Sequence, residues 1–133
     1  MKNLPLDFYP PLARKSVIFY HLAELANEPV NRRMGSWEAS YYLLSHSVEL
    51  AIKAVYELKT GKNPSYGHKL VPLAKRYKEQ CRFSNEEIKI LQELDRLNQG
   101  HGLRYPNTPE AEFLPSTFSG GMKITERLLV NFE

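Results

Sequence analysis

The chain has 133 residues, 42% of them apolar and 25% charged, with 18 Lys and Arg against 15 Asp and Glu. Surface scaling gives roughly 7,200 Å² exposed when folded against roughly 22,000 Å² unfolded, so one domain buries about two thirds of its surface without a metal or disulfide staple. The single Cys81 cannot form an intrachain disulfide and points to a reducing, cytoplasmic setting, and the longest apolar run, Val17 to Tyr20, is too short for a membrane span or a signal-peptide core.

Residues 1–12 read as a Pro-rich arm and 13–133 as a single helical domain, because apolar residues recur at helical spacing almost throughout. A first helix is expected from about Ala13 to Asn27, with Ile18, Leu22, Leu25 and Ala26 facing inward, ended by Pro29 and the Asn31 to Gly35 stretch. Ser36 is the expected N-cap of a long helix that runs to Thr60 and stops at Gly61, with Glu38 in its first turn complementing the helix dipole. Its expected buried stripe is Leu43, Ser47, Leu50, Ala51, Ala54 and Leu58, whose small members admit a neighbouring helix.

After a turn over 61–67, a third helix carries Leu70, Leu73, Ala74 and Tyr77, with Pro72 in its first turn. A capping box, Ser84 with Glu87, opens a fourth helix that continues through Ile88, Leu91 and Leu94 to Leu97 and ends at Gly100 and Gly102. Pro106, Pro109 and Pro115 mark a long irregular segment from 102 to 121. The last helix is expected to start near Gly121 and to use Ile124, Leu128, Leu129 and Phe132. Short connections between the middle helices give an all-α, up-and-down bundle of four to five helices.

The net charge of +3 conceals an uneven distribution. Residues 1–52 balance, 53–82 hold eight basic residues against Glu57 and Glu79, and 83–133 hold five basic against eight acidic. Such a positive block suits a phosphate-bearing partner, or else is a set of lysines coating exposed helix faces.

Four histidines exist, His21, His46, His68 and His101, with no pair at metal-ligand helical spacing, so neither a metal nor another cofactor is expected. His46 reads as a packing or helix-surface residue. Arg96 and His101 are the one pair of types suited to metal-free RNA cleavage: His moves a proton at the 2′-hydroxyl or leaving oxygen, and Arg meets charge on the phosphorus oxygens. Five positions on an ideal helix differ by about 140°, so the two share a face only if the helix unwinds near Gly100. The alternative is a histidine favoured by a helix C-terminus. Glu49 and Lys53 form an i,i+4 pair expected to be exposed. Arg104 and Tyr105, before Pro106, either clamp the long segment or offer a cation and an aromatic platform to a nucleotide. Trp37 is read as core or dimer-interface filler.

Three stretches together resemble the HEPN superfamily, the higher eukaryotes and prokaryotes nucleotide-binding domains. Glu49-Leu50-Ala51-Ile52-Lys53-Ala54 is similar to its Glu-x-x-x-Lys-Ala element, Gly67-His68-Lys69-Leu70 to its Gly-His-Asp-Leu helix start, and Leu103-Arg104-Tyr105-Pro106 to its Arg-Tyr-Pro loop. The resemblance spans about 37 to 130. It implies a homodimeric helical bundle that binds RNA or a nucleotide, encoded beside a minimal nucleotidyltransferase partner or within a toxin and defence module. Many members are metal-independent ribonucleases whose Arg and His are completed across the dimer, which implies catalytic roles for Arg96 and His101 and ligand contacts for Lys53, Lys69, Arg104 and Tyr105. Two positions depart from the pattern: Leu97 follows the Arg where a polar residue is usual, and Lys69 replaces the acid after His68. Members with an Arg-Tyr-Pro loop often serve as non-catalytic binding or scaffold partners, which is the alternative function, and a purely structural adaptor is the third.

Overall fold

The computed structural model describes residues 4–32, 37–98 and 114–133, and every regular element among them is helical. A 3₁₀ turn, Leu6–Phe8, leads into α1 (Pro11–Ala26), α2 (Pro29–Arg32), α3 (Trp37–Thr60), α4 (Leu70–Arg76), α5 (Lys78–Cys81), α6 (Asn85–Asn98) and α7 (Pro115–Leu129), closed by a 3₁₀ turn, Val130–Phe132. Helix α3 is the axis: α1 lies along it, α7 packs on both α3 and α6, and α4 and α5 close the far end against α3, with α4 also on α6.

Local signals set several of these boundaries as expected. Gly61 ends α3 with φ +70°, a backbone conformation that side-chain-bearing residues rarely adopt. Pro72 falls in the first turn of α4, where its missing N–H removes no helical bond. The capping box forms in both directions, the Glu87 amide donating to Ser84 Oγ at 3.1 Å and the Ser84 amide to Glu87 Oε1 at 2.9 Å. Ser36, the Trp37 side chain, Gly100 and Gly102 lie outside the described residues.

The inward stripes of the first two long helices need correction. On α1 the buried residues are Ala13, Ser16, Val17, Tyr20 and Ala23, whereas Ile18, Leu22 and Leu25 are exposed. On α3, Leu44, Val48, Ala51, Ile52 and Val55 are fully buried, Leu43 only borders the core, and Leu58 is exposed. Close approach decides the phase. Ser16 and Ser47 meet at the α1–α3 contact, where Ser16 Oγ donates to the Ser47 carbonyl at 2.7 Å and Ser47 Oγ to the Ser16 carbonyl at 2.8 Å. Small side chains let the backbones come this near and satisfy their own hydroxyls, so bulkier apolar residues are turned outward.

The last helix also starts earlier than expected, at Pro115 rather than near Gly121. Pro115 takes the first helical position, where it is tolerated, and the Tyr41 hydroxyl donates to the Leu114 carbonyl at 2.6 Å, anchoring the start of α7 to α3. Gly120 and Gly121 lie inside the helix because it needs them there: a Cβ on Gly121 would stand 2.7 Å from Leu44 Cδ2. Ile124, Leu128 and Leu129 are buried as expected, with Phe132 packed at the margin.

Candidate functional site

Helix α3 carries Tyr42, Ser45, His46 and Glu49 at three- and four-residue spacing, so these polar and aromatic side chains share one face. Opposite them, Asp95 and Asn98 sit one turn apart on α6, and His68 and Lys69 enter from the turn before α4. Together they line a cleft of about 420 Å³.

The start of α4 shows how the cleft is held. Helix-opening amides lack partners within the helix, and Lys69 at the N-cap makes no side-chain cap bond. Asp95 supplies the cap from α6, accepting from the Leu70 amide at 2.7 Å and the Val71 amide at 2.9 Å. One carboxylate therefore docks the 67–70 turn on α6 and sets His68 and Lys69 at the cleft. At the other end, Asn98 Nδ2 donates to Ser45 Oγ at 2.6 Å and to the Leu94 carbonyl at 2.8 Å, latching the last turn of α6 to α3.

Glu49 forms the floor. Its carboxylate accepts from Lys53 Nζ at 3.0 Å, with the two side chains only 7% and 11% exposed. His68 Nδ1 lies 3.2 Å from the same carboxylate, on a side chain 81% exposed, so one nitrogen is held by the protein while the ring faces solvent. A carboxylate behind an imidazole fixes the orientation of the ring. His46 stacks on Phe19 with ring centroids 5.4 Å apart and meets the edge of Tyr42 at 4.5 Å, so the expected packing residue also forms part of the cleft wall. The assembly offers imidazole, carboxylate, amide and hydroxyl groups with an aromatic margin, a chemistry suited to the sugar, base edge and phosphate of a nucleotide.

The residues singled out in the sequence fall in different places. Lys53 is not the exposed partner expected: its ammonium is buried against Glu49, on the helix that α4, α5 and α6 all pack against. Its position makes it the support of the cleft floor. Lys69 is exposed at the cleft margin. Arg96 is on the last turn of α6, exposed, with Nη2 3.0 Å and Nε 3.2 Å from the Glu93 carboxylate. His101, Arg104 and Tyr105 lie outside the described residues. Sequence reading missed Asp95 and Asn98, whose i,i+3 spacing beside Arg96 was the available signal. It also missed the union of His46, Glu49 and His68, which are brought together only by the fold.

Fold and cleft thus define an all-helical domain with a polar cleft between its long axial helix and the α4–α6 corner. The family model described as HEPN domain matches residues 22–129, and the chain belongs to the HEPN family. HEPN domains commonly bind nucleotides or RNA and form dimers. No curated protein and no solved structure matches the chain. Among the described residues no helix is long and apolar enough to cross a membrane.

Proposed function

We propose that this HEPN protein binds RNA in the α3–α6 cleft and, as a homodimer within a toxin or defence module, cleaves it without a metal. Support comes above all from Arg96: it stands exposed on the final turn of α6, the helix that carries Asp95 and Asn98 of the cleft wall, five positions before His101 in the sequence. In the reaction the RNA 2′-oxygen loses its proton and bonds to the adjacent phosphorus. The bond from phosphorus to the 5′-oxygen breaks, and that oxygen takes up a proton, leaving a 2′,3′-cyclic phosphate and a 5′-hydroxyl. His101 carries the proton at one of these two oxygens, and Arg96 stabilises the charge that builds on the non-bridging oxygens. Arg104, Tyr105 and Lys69 contribute binding, through cation and aromatic contacts.

Leu97 favours a second reading. It is buried in the core at 3% exposure, so the position that is usually polar in catalytic members is spent here on packing. In this reading the cleft binds a nucleotide or RNA without cleaving it, and the protein serves as the scaffold partner of a minimal nucleotidyltransferase. Metal-free RNA cleavage in the presence of a chelator separates the two. His101→Ala and Arg96→Ala are each expected to lower the rate by about 100-fold or more. Cleavage unchanged in both variants overturns the catalytic assignment, and RNA binding by a wild type that cleaves nothing selects the scaffold reading.

A further inference from the structure

A second region, across the 61–67 turn from the cleft, carries its own recognition features. Between residues 57 and 82 stand seven basic side chains and two acidic ones. Lys53, just before them, is neutralised in the interior by Glu49 and does not contribute to the surface. Lys62, Lys75 and Lys78 are exposed, and none is held in an ion pair among the described residues. Lys59 donates to the Gln80 carbonyl at 2.7 Å and Arg76 to Ser65 Oγ, which fixes two of the cations against α5 and the turn.

Two of these cations, Arg76 and Lys78, line a depression of about 380 Å³ together with Tyr56, Ser65 and Tyr77, with Glu79 as its one acidic member. Its base is rigid. Tyr56 and Tyr77 stack with centroids 4.1 Å apart, and the Tyr77 oxygen accepts from the Ser65 amide at 2.8 Å. Burial alone would raise the Tyr77 pKa, yet the Ser65 hydroxyl and amide and the Arg76 guanidinium together draw it below its ordinary value. That direction reports donors and positive charge concentrated at this corner. On the same turn Tyr66 is 99% exposed, its ring open to solvent among the described residues. A fully solvated tyrosine next to Ser65, which is bonded to Tyr77 and Arg76, beside exposed Lys62 on the same turn, brings together the two elements of single-strand recognition: cations that follow the phosphates and a ring on which a base stacks.

We infer that Lys62, Tyr66, Arg76 and Lys78 form a docking surface for single-stranded RNA, distinct from the cleft and continuous with it through the 61–69 turn. The turn begins at this surface and ends at His68 and Lys69 in the cleft, and along α3 the step from Glu49 to Tyr56 is about 10 Å at the helical rise per residue. A strand held here therefore leads into the cleft, and the surface supplies length-dependent affinity while the cleft addresses one position of the strand. The inference rests on the RNA reading proposed above for the neighbouring cleft.

Fluorescence anisotropy with a labelled oligouridylate, titrated at several salt concentrations, tests it. Lys62→Gln/Lys78→Gln is expected to weaken binding and to flatten the dependence of log affinity on log salt by roughly 1.4, the contribution of two phosphate contacts to a single strand. Tyr66→Ala is expected to weaken binding about five- to a hundredfold with the salt slope unchanged, and to leave binding of a duplex of the same length unaltered. Both variants alter exposed side chains, and thermal melting by circular dichroism checks that the fold is kept. If the wild type binds the oligonucleotide and both variants bind equally well, the docking surface is overturned while the RNA reading of the cleft stands. If the wild type does not bind it at all, the RNA reading itself fails. Loss of binding to phosphatidylserine vesicles, with RNA binding intact, assigns the surface to a membrane and overturns the inference.

Discussion

The buried pair under the cleft gives the sharpest test of how this site is built. Lys53→Met removes the ammonium and keeps a side chain of similar length, leaving the Glu49 carboxylate, 7% exposed, without its 3.0 Å partner. At that distance and an effective dielectric of about 20, the lost attraction is about 5 kcal/mol, while the desolvation of two ions offsets most of the pair's net worth in the intact protein. Removing one partner exposes the difference: an uncompensated buried charge costs about 3–5 kcal/mol. The solvent-facing His68 offers the carboxylate only a partial substitute. Against a total stability of about 5–15 kcal/mol this is a large fraction, corresponding to a Tm lower by roughly 10–20 °C. The double variant Glu49→Gln/Lys53→Met removes both charges and is expected to recover most of the loss. Urea unfolding followed by far-ultraviolet circular dichroism measures all three proteins. A loss below about 1 kcal/mol for Lys53→Met would refute the reasoning, because the pair would then behave as a hydrated surface pair.

Further expectations follow from the same geometry. Asp95→Ala removes two charge-assisted bonds to the α4 amides and is expected to cost about 2–4 kcal/mol, with amide hydrogen exchange at Leu70 and Val71 accelerated more than at α7; unchanged exchange would show that another group caps α4. Gly121→Ala gains about 1 kcal/mol of helix propensity but forces Leu44 and Leu94 apart, so a net loss of about 1–2 kcal/mol is expected by thermal melting, and stabilisation would contradict the packing. Burial pushes the Cys81 thiol up to about 11, with the Arg127 and Lys59 charges opposing the shift in part. Below pH about 9 folded and unfolded chains both keep the proton; above it the unfolded thiol ionises first, so stability falls between about pH 9 and 11, by up to roughly 3 kcal/mol. Cys81→Ala is expected to remove that part of the slope in alkaline urea unfolding, and an identical slope would place the titration elsewhere.

Which of these features the sequence exposes depends on how far apart the partners lie. Ser84 and Glu87 are three residues apart, and Gly61 needs only its own backbone, so cap and stop are readable from local chemistry. Glu49 and Lys53 are also local, and their pairing is legible; their burial is not, because it depends on α4, α5 and α6 packing around one turn of α3. The phase of α1 eludes hydropathy for a related reason. Ser16 is buried and Leu22 exposed because backbone approach at the Ser16–Ser47 contact outweighs the preference of a single leucine for the interior. Asp95 caps a helix that starts 25 residues earlier, a pairing no periodicity encodes. Of the cleft, only Glu49, His68 and Lys69 stand in motifs that the sequence singles out, and the surface itself is illegible there, since its walls come from three separate stretches of chain.

The structure also divides the positive block seen in the sequence into two parts with different work. Lys53 goes inward, where its charge is consumed in holding Glu49 and, through Glu49, the ring of His68. Lys62 on the 61–69 turn and Lys75, Arg76 and Lys78 on α4 and α5 stay exposed. Both parts converge on the 61–69 turn, which is fastened at one end by Tyr77 and Arg76 to Ser65 and at the other by Asp95 to the start of α4. Because the turn is tied at both ends, the spacing between the docking surface and the cleft is fixed before any ligand arrives. A strand that fits one is therefore presented to the other at no further cost in ordering the protein, which is the advantage of preorganisation in binding a flexible chain.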